Sequence, residues 1–176
     1  LPGGGVRAMT RRAAMDLYRR LRDAQGPQGW WPADTPIEMA IGAVLTQNTA
    51  WINVERALDN LRTDGLLDAR ALLAAPDAAL AARLRPSGYF NVKARRVKAL
   101  AAFLAEHVDG DPARLAGWDP ARARAALLAV PGVGRETADS ILLYAAGHPV
   151  FVIDAYTRRV AGRLGLADPR TDYDVL

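Results

Sequence analysis

The chain has 176 residues, 51% of them hydrophobic, with 23 Lys or Arg against 19 Asp or Glu and a formal net charge of +4. That is enough apolar material for one domain or two small lobes sharing a core, which excludes disorder throughout, and the positive balance suits a polyanionic partner. The absence of cysteine excludes disulfides, a thiolate metal site and a cysteine nucleophile, and no apolar run reaches membrane-spanning length.

The start, Leu1-Pro2-Gly3-Gly4-Gly5, lacks the regions of a signal peptide and reads as a flexible leader, so a cytoplasmic protein is the expectation. Thr10 to Gln25 predicts an amphipathic helix with Leu17, Leu21 and Ala24 on one face and Gly26 as its stop. A Gly/Pro loop then carries Trp30 and Trp31. Thr35 reads as a cap, Pro36 fits a first turn, and Glu38 completes a capping box. The helix from Pro36 to about Leu45 is apolar on nearly all sides and should be central. Gln47-Asn48-Thr49 interrupts it, and a further helix runs from Trp51 to Asp64. Short helices follow around Ala69–Ala75 and Asp77–Leu84, then a turn at Arg85-Pro86-Ser87-Gly88 and a basic helix from Asn91 to His107. Asp119-Pro120 opens another helix. Val150 to Ile153 could pass for a strand, and Asp154 opens a helix to about Leu164. Thr171 to Leu176 looks like a helix beginning, as though more chain should follow. The reading is all-α.

Four features carry chemistry. Val130-Pro131-Gly132-Val133-Gly134 breaks two apolar segments, permits positive φ, and bares N–H groups at the start of the next helix. Such a site takes a phosphate, as in a helix-hairpin-helix that grips DNA without reading bases; the plainer alternative is a tight turn. Residues 85–98 hold Arg85, Lys93, Arg95, Arg96 and Lys98 with no acid, which suits either a solvated face or phosphate contact. Trp30, Trp31 and Trp51 are either core or, if their loops converge, a slot for a flat base. Asp154 is either an N-cap or a carboxylate facing a cleft. His107 and His148 are isolated and show no metal-ligand spacing.

Together these residues resemble the helix-hairpin-helix DNA glycosylases of the endonuclease III superfamily. The matching stretches are Ala43–Thr49, Arg85–Ala94, Val130–Ala138 and Val152–Tyr156, in order along nearly the whole chain from about residue 10. The resemblance implies a two-lobed fold: a six-helix barrel lobe at 30–147 with the hairpin at 121–146, and a second lobe from 1–29 and 148–176. It implies double-stranded DNA with a damaged base as partner and a monomeric protein. Pro131, Gly132, Val133, Gly134, Arg135, Thr137, Lys93, Arg95 and Lys98 would contact DNA, and Gln47 and Asn48 would fill the gap left by an extruded nucleotide. Asp154 would stabilise an oxocarbenium-like sugar and orient or deprotonate a water. Main-chain carbonyls of Leu128, Val130 and Val133 would hold a monovalent cation.

Two departures narrow the subtype. Bifunctional members carry a lysine nucleophile just after the hairpin, where this chain has Glu136, so lyase activity is not expected. The cysteines that bind an iron–sulfur cluster in many members are absent, so no cluster is expected. Trp30-Trp31-Pro32 with Trp51 looks like the 3-methyladenine-excising branch, whose aromatics stack on the extruded base. The alternatives are a glycosylase for oxidised, deaminated or mismatched bases, or a non-catalytic DNA-binding module.

Overall fold

The computed structural model describes residues 10–168 and 170–175. Among them the chain is helical and contains no β-strand, so it is all-α. The α-helices are α1 (Arg11–Gln25), α2 (Pro36–Leu45), α3 (Trp51–Thr63), α4 (Ala69–Ala74), α5 (Asp77–Arg83), α6 (Phe90–Val108), α7 (Pro120–Leu128), α8 (Arg135–Ser140) and α9 (Ala155–Arg163). Short 3₁₀ turns precede α6 and α7, and a π-helical turn, Ile141–Ala145, continues α8. They form two compact units, a central one of Trp31–Phe151 and a terminal one of Leu1–Trp30 with Val152–Leu176. The link at 148–151 belongs to the central unit, later than the break after residue 147 expected from sequence. His148 anchors it: the ring is buried, and its Nε2 lies 2.9 Å from the Leu115 carbonyl.

The centre of the core is α2. Every residue from Glu38 to Leu45 is buried, as its all-round apolar sequence requires. Its start departs slightly from a capping box. Thr35 Oγ1 accepts the Glu38 N–H at 3.2 Å, but the Glu38 carboxylate takes the Asp34 N–H at 3.3 Å, one residue earlier than expected. The same carboxylate pairs with Arg62 of α3, so this buried charge is neutralised where it sits. Trp31 lies over Gly42, where a Cβ would stand 3.4 Å from the indole Nε1. α6 packs on α2, α4 and α5 through the fully buried Val97, Leu100 and Leu104. Each such leucine contributes about 1.5–3 kcal/mol.

The terminal unit is built differently. Neither α1 nor α9 buries a residue. Thr10 caps α1 through the Ala13 N–H; of the expected apolar face Leu17 is half-buried, while Leu21 and Ala24 stay exposed, as do Met15 and Tyr18. Val152 and Ile153 join no sheet; the Ile153 N–H donates to the Tyr173 hydroxyl at 3.2 Å. Residues 171–175 form a hydrogen-bonded turn where a helix beginning was expected. The glycine-rich start at Leu1 and the last residue, Leu176, lie outside the described residues. No helix among the described residues is long and apolar enough to cross a membrane.

Candidate functional site

The hairpin is the loop between α7 and α8. Asp119 caps α7 through the Arg122 N–H at 2.9 Å. Val130 and Val133 point inward, each 6% exposed, and the Val133 N–H closes the turn on the Val130 carbonyl at 3.0 Å. Pro131, Gly132, Gly134 and Arg135 remain on the surface. The two arms are clamped by Arg124 and Asp139, which meet at mirror positions about the turn. Nε to Oδ1 is 2.7 Å and Nη2 to Oδ2 is 3.2 Å, with Asp139 buried. A two-pronged pair of this kind fixes orientation as well as distance. Gly134 is the N-cap of α8 and supplies no side chain, so the helix's first N–H groups meet whatever approaches the turn. Gly132 has φ +91°, and a Cβ there would overlap the methylenes of Arg96, so both its backbone conformation and its surroundings demand glycine.

Several residues expected to touch DNA are occupied inside the protein. Thr137 is buried and its hydroxyl accepts from Gln47 Nε2 at 3.1 Å. Gln47 Nε2 also donates to the Gly132 carbonyl at 3.0 Å, while its Oε1 accepts from Arg96 Nη1. Gln47, expected to fill a gap in a duplex, instead ties the α2–α3 loop to the hairpin here, and all of its amide hydrogen bonds point inward. Its neighbour Asn48 is exposed and left-handed, with φ +56°.

The cationic run at 85–98 is likewise broken up. Lys93 is 1% exposed, and its Nζ donates to the carbonyls of Leu45 at 2.9 Å and Ser87 at 2.5 Å. Burial, and secondarily the Arg96 charge, push its ammonium below the ordinary lysine range. Lys98 donates to the Ala75 carbonyl at 2.6 Å and Asp77 Oδ1 at 2.5 Å, tying α6 to the α4–α5 junction. Both lysines expected at DNA are engaged by acceptors within the protein. The reason is helical geometry: three of these cations lie on faces of α6 that meet other elements, where carbonyls and an aspartate await them. Arg95 is exposed with no ion-pair partner among the described residues, and Arg85 lies 5.4 Å from the Phe90 ring centroid.

Trp31 and Trp51 do converge, but not as parallel plates. Their ring centroids are 5.6 Å apart with planes at 87°, an edge-to-face contact, and Tyr144 lies 5.7 Å from Trp31 on another side. Stacking a base between two rings needs roughly 7 Å of parallel separation, two van der Waals contacts. The two tryptophans touch each other instead, so they form one wall and not a sandwich. Trp30, 59% exposed, belongs to the terminal unit.

Asp154 is the N-cap of α9: Oδ1 accepts the Thr157 N–H at 2.6 Å. Its side chain is half-buried, and Oδ2 accepts no hydrogen bond among the described residues. Glu136 is exposed in the first turn of α8. Among the described residues no cluster of His, Asp or Glu could hold a metal ion.

Sequence reasoning missed three participants. Tyr144, on the π-helical turn that follows α8, joins the aromatic wall. The Arg124–Asp139 clamp was legible only as opposite charges placed symmetrically about the turn. Tyr89 precedes α6 in a left-handed conformation at φ +46° and is 74% exposed. An exposed aromatic on strained backbone marks a place to test for contact with a ligand.

Residues 41–176 match the family model described as HhH-GPD superfamily base excision DNA repair protein. A protein of Methanocaldococcus jannaschii, provisionally named a DNA repair glycosylase, is 45% identical over 160 residues, which cover 90% of this chain and 72% of that protein. Endonuclease III of Treponema pallidum is 36% identical over 102 residues, 58% of this chain, which spans less than half of that relative at 44%. Among solved structures, the crystal structure of H. pylori 3-methyladenine DNA glycosylase bound to 1,N6-ethenoadenine superposes with a TM-score of 0.76 at 30% identity, covering 92% of this chain and 74% of that one.

Proposed function

The chain belongs to the HhH-GPD superfamily of base excision DNA repair proteins and is a DNA glycosylase, and we propose that it is a monofunctional one acting on alkylated purines such as 3-methyladenine. The observation that carries the first half is Glu136, exposed in the first turn of α8 where bifunctional relatives by resemblance hold a lysine. A carboxylate forms no Schiff base, and both lysines of the chain are committed to internal carbonyls. The second half is supported by the aromatic wall of Trp31, Trp51 and Tyr144 and by the likeness to the H. pylori 3-methyladenine DNA glycosylase, whose structure holds 1,N6-ethenoadenine.

The chemistry is as follows. The α8 N–H groups at Gly134 and Arg135 hold a phosphate of double-stranded DNA, and Arg95 adds charge to the grip. Extruding one nucleotide costs a few kcal/mol, less where the base is damaged. Asn48 fills the space left in the stack, and Tyr89 wedges between bases beside it. A purine alkylated at N3 or N7 carries positive charge, favours an aromatic face, and leaves readily, so no histidine acid is needed. Asp154 keeps Oδ1 on the Thr157 N–H and presents Oδ2 to the developing sugar cation and the attacking water. The carbonyls of Leu128, Val130 and Val133 are hard oxygen donors that suit a monovalent cation; Val130 retains its second lone pair for one. Bound there, the cation would add positive charge for a DNA phosphate. We further propose a monomer acting on chromosomal DNA in the cytoplasm, without an iron–sulfur cluster.

A second reading, a monofunctional glycosylase for oxidised, deaminated or mismatched bases, is favoured by one observation: the edge-to-face Trp31–Trp51 contact leaves no slot for a sandwiched cation. A panel of duplexes with one lesion each, scored for free base and separately for strand breaks, decides between them. Release of 3-methyladenine with an intact backbone supports the first reading. Release of uracil or an oxidised pyrimidine alone supports the second.

A further inference from the structure

We propose that Gln47 is a positioning residue, a strut that transmits the hairpin's hold on the phosphate backbone to Asn48, the next residue in the chain. The inference rests on the reading of the protein as a lesion-seeking DNA glycosylase and extends it to how the search is coupled to the grip.

The α2–α3 loop enters the duplex only if its tip is held at a fixed height above the hairpin. Left alone, the loop has little to hold it: α3 begins at Trp51 behind Ala50, which offers no side-chain cap, and Asn48 sits in the left-handed region. Two cations on neighbouring turns of α6 supply what is missing. Lys93 reaches inward to the Leu45 carbonyl, the last residue of α2, and to the Ser87 carbonyl ahead of Tyr89. Arg96 donates to Gln47 Oε1 and lies with its methylenes against Gly132. Gln47 then spends both donors of its amide on the hairpin, one on the Gly132 carbonyl at 3.0 Å and one on Thr137 Oγ1 at 3.1 Å.

The amide is thus the only side chain of the loop that bonds both arms of the arrangement, α6 on one side and the hairpin on the other. Its carbonyl must face a guanidinium and its NH₂ must face two acceptors, so neither Glu nor a hydrocarbon of the same length can replace it. A further consequence concerns Gly132. It stands where phosphate is gripped, and its carbonyl is the point at which the strut is fastened. A phosphate that orders the turn therefore also orders the loop tip, through two hydrogen bonds and one residue of backbone. Tyr89 is fixed from the same centre, because Lys93 holds the Ser87 carbonyl two residues before it.

The test measures preference, the ratio of affinity for a duplex with one tetrahydrofuran abasic analogue to affinity for the same duplex undamaged, for the whole chain. Gln47→Met should lower this preference by about tenfold, the loss of one to two net hydrogen bonds' worth of tip placement. Undamaged-duplex affinity should change much less, because the α8 N–H groups remain. The decisive arm is a double-mutant cycle with Asn48→Ala. A strut acts only through the tip, so the double variant should lose no more than Asn48→Ala alone. Gln47→Glu keeps the Arg96 contact while setting a carboxylate against the Gly132 carbonyl, so it should behave like Gln47→Met and serves in its place if Met impairs folding. Preference retained in both Gln47 variants, or losses that multiply in the double variant, would overturn the proposal. A wild-type protein with no preference for the abasic analogue would instead overturn the lesion-seeking reading on which it stands.

Discussion

Helices α2 and α9 are both started by side-chain caps, and they have opposite fates. α2, capped by Thr35, is buried from Glu38 to Leu45 and emerges at Gln47 into a loop whose polar groups are nearly all engaged. α9, capped by Asp154, buries nothing, and its capping carboxylate uses one oxygen and leaves the other without a partner among the described residues. The contrast separates polar groups spent on structure from those still open to chemistry. A polar side chain bonded at each of its atoms is structure, whatever its charge suggests. One that is half-bonded is both oriented and available, which is what catalysis requires.

The sharpest way to break this contrast is Asp154→Asn. Asparagine caps a helix about as well as aspartate, so the melting temperature should barely move. Excision should fall by roughly a thousandfold or more, because charge stabilisation of the sugar cation is lost. Single-turnover kinetics beside a thermal melt measures both; near-normal turnover would leave Asp154 as a cap only.

Next in size is Gly132→Leu. Forcing a side chain into φ +91° and against Arg96 should cost about 1–3 kcal/mol of stability or more and weaken binding to damaged and undamaged duplexes alike. Unaltered binding would place the DNA elsewhere.

The lysines show how much of this was legible in sequence. The helices were, because apolar periodicity, Thr35-Pro36 and Asp119-Pro120 are local signals that the core merely ratifies. The hairpin was, because few sequences other than Pro-Gly-x-Gly make such a turn. Lys93 and Lys98 were not. A run of cations without acids reads as a DNA face in one dimension, but their partners are carbonyls of Leu45, Ser87 and Ala75, and every residue has a carbonyl. Distant backbone acceptors leave no mark in composition. The tryptophans were half legible: Trp31 and Trp51 meet as loop convergence required, but the angle between their planes depends on Gly42 and Tyr144, which no local pattern names.

A paired comparison sharpens the point. Lys93→Met should cost about 2 kcal/mol, since two buried carbonyls lose their donor, and should leave the salt dependence of DNA binding as it was. Arg95→Ala should do the reverse, lowering the slope of log affinity against log salt by about 0.9 with little change in stability. Urea titration and binding at several salt concentrations separate the two. If Lys93→Met flattened the salt dependence instead, Lys93 would be a phosphate contact after all.

The smallest expected effect is in pH. Burial lowers the Lys93 ammonium below the ordinary lysine value, so at alkaline pH the unfolded chain binds the proton more tightly than the folded one. The penalty is fully present below the folded value and is relieved as pH rises toward the ordinary value of about 10.4. Wild type should therefore gain stability relative to Lys93→Met across that alkaline window, read as diverging urea midpoints. Parallel midpoints would mean the ammonium is as well solvated as a free lysine.

On the function we propose, the protein removes an alkylated purine by hydrolysis and leaves the sugar–phosphate chain intact. Methylated duplex DNA incubated with the protein, with released bases separated by chromatography and the strand run on a gel without alkali, tests it directly. Free 3-methyladenine beside an unbroken strand, and no protein–DNA adduct after borohydride, is the result predicted. A trapped adduct, or strand breaks appearing in step with the released base, would contradict it.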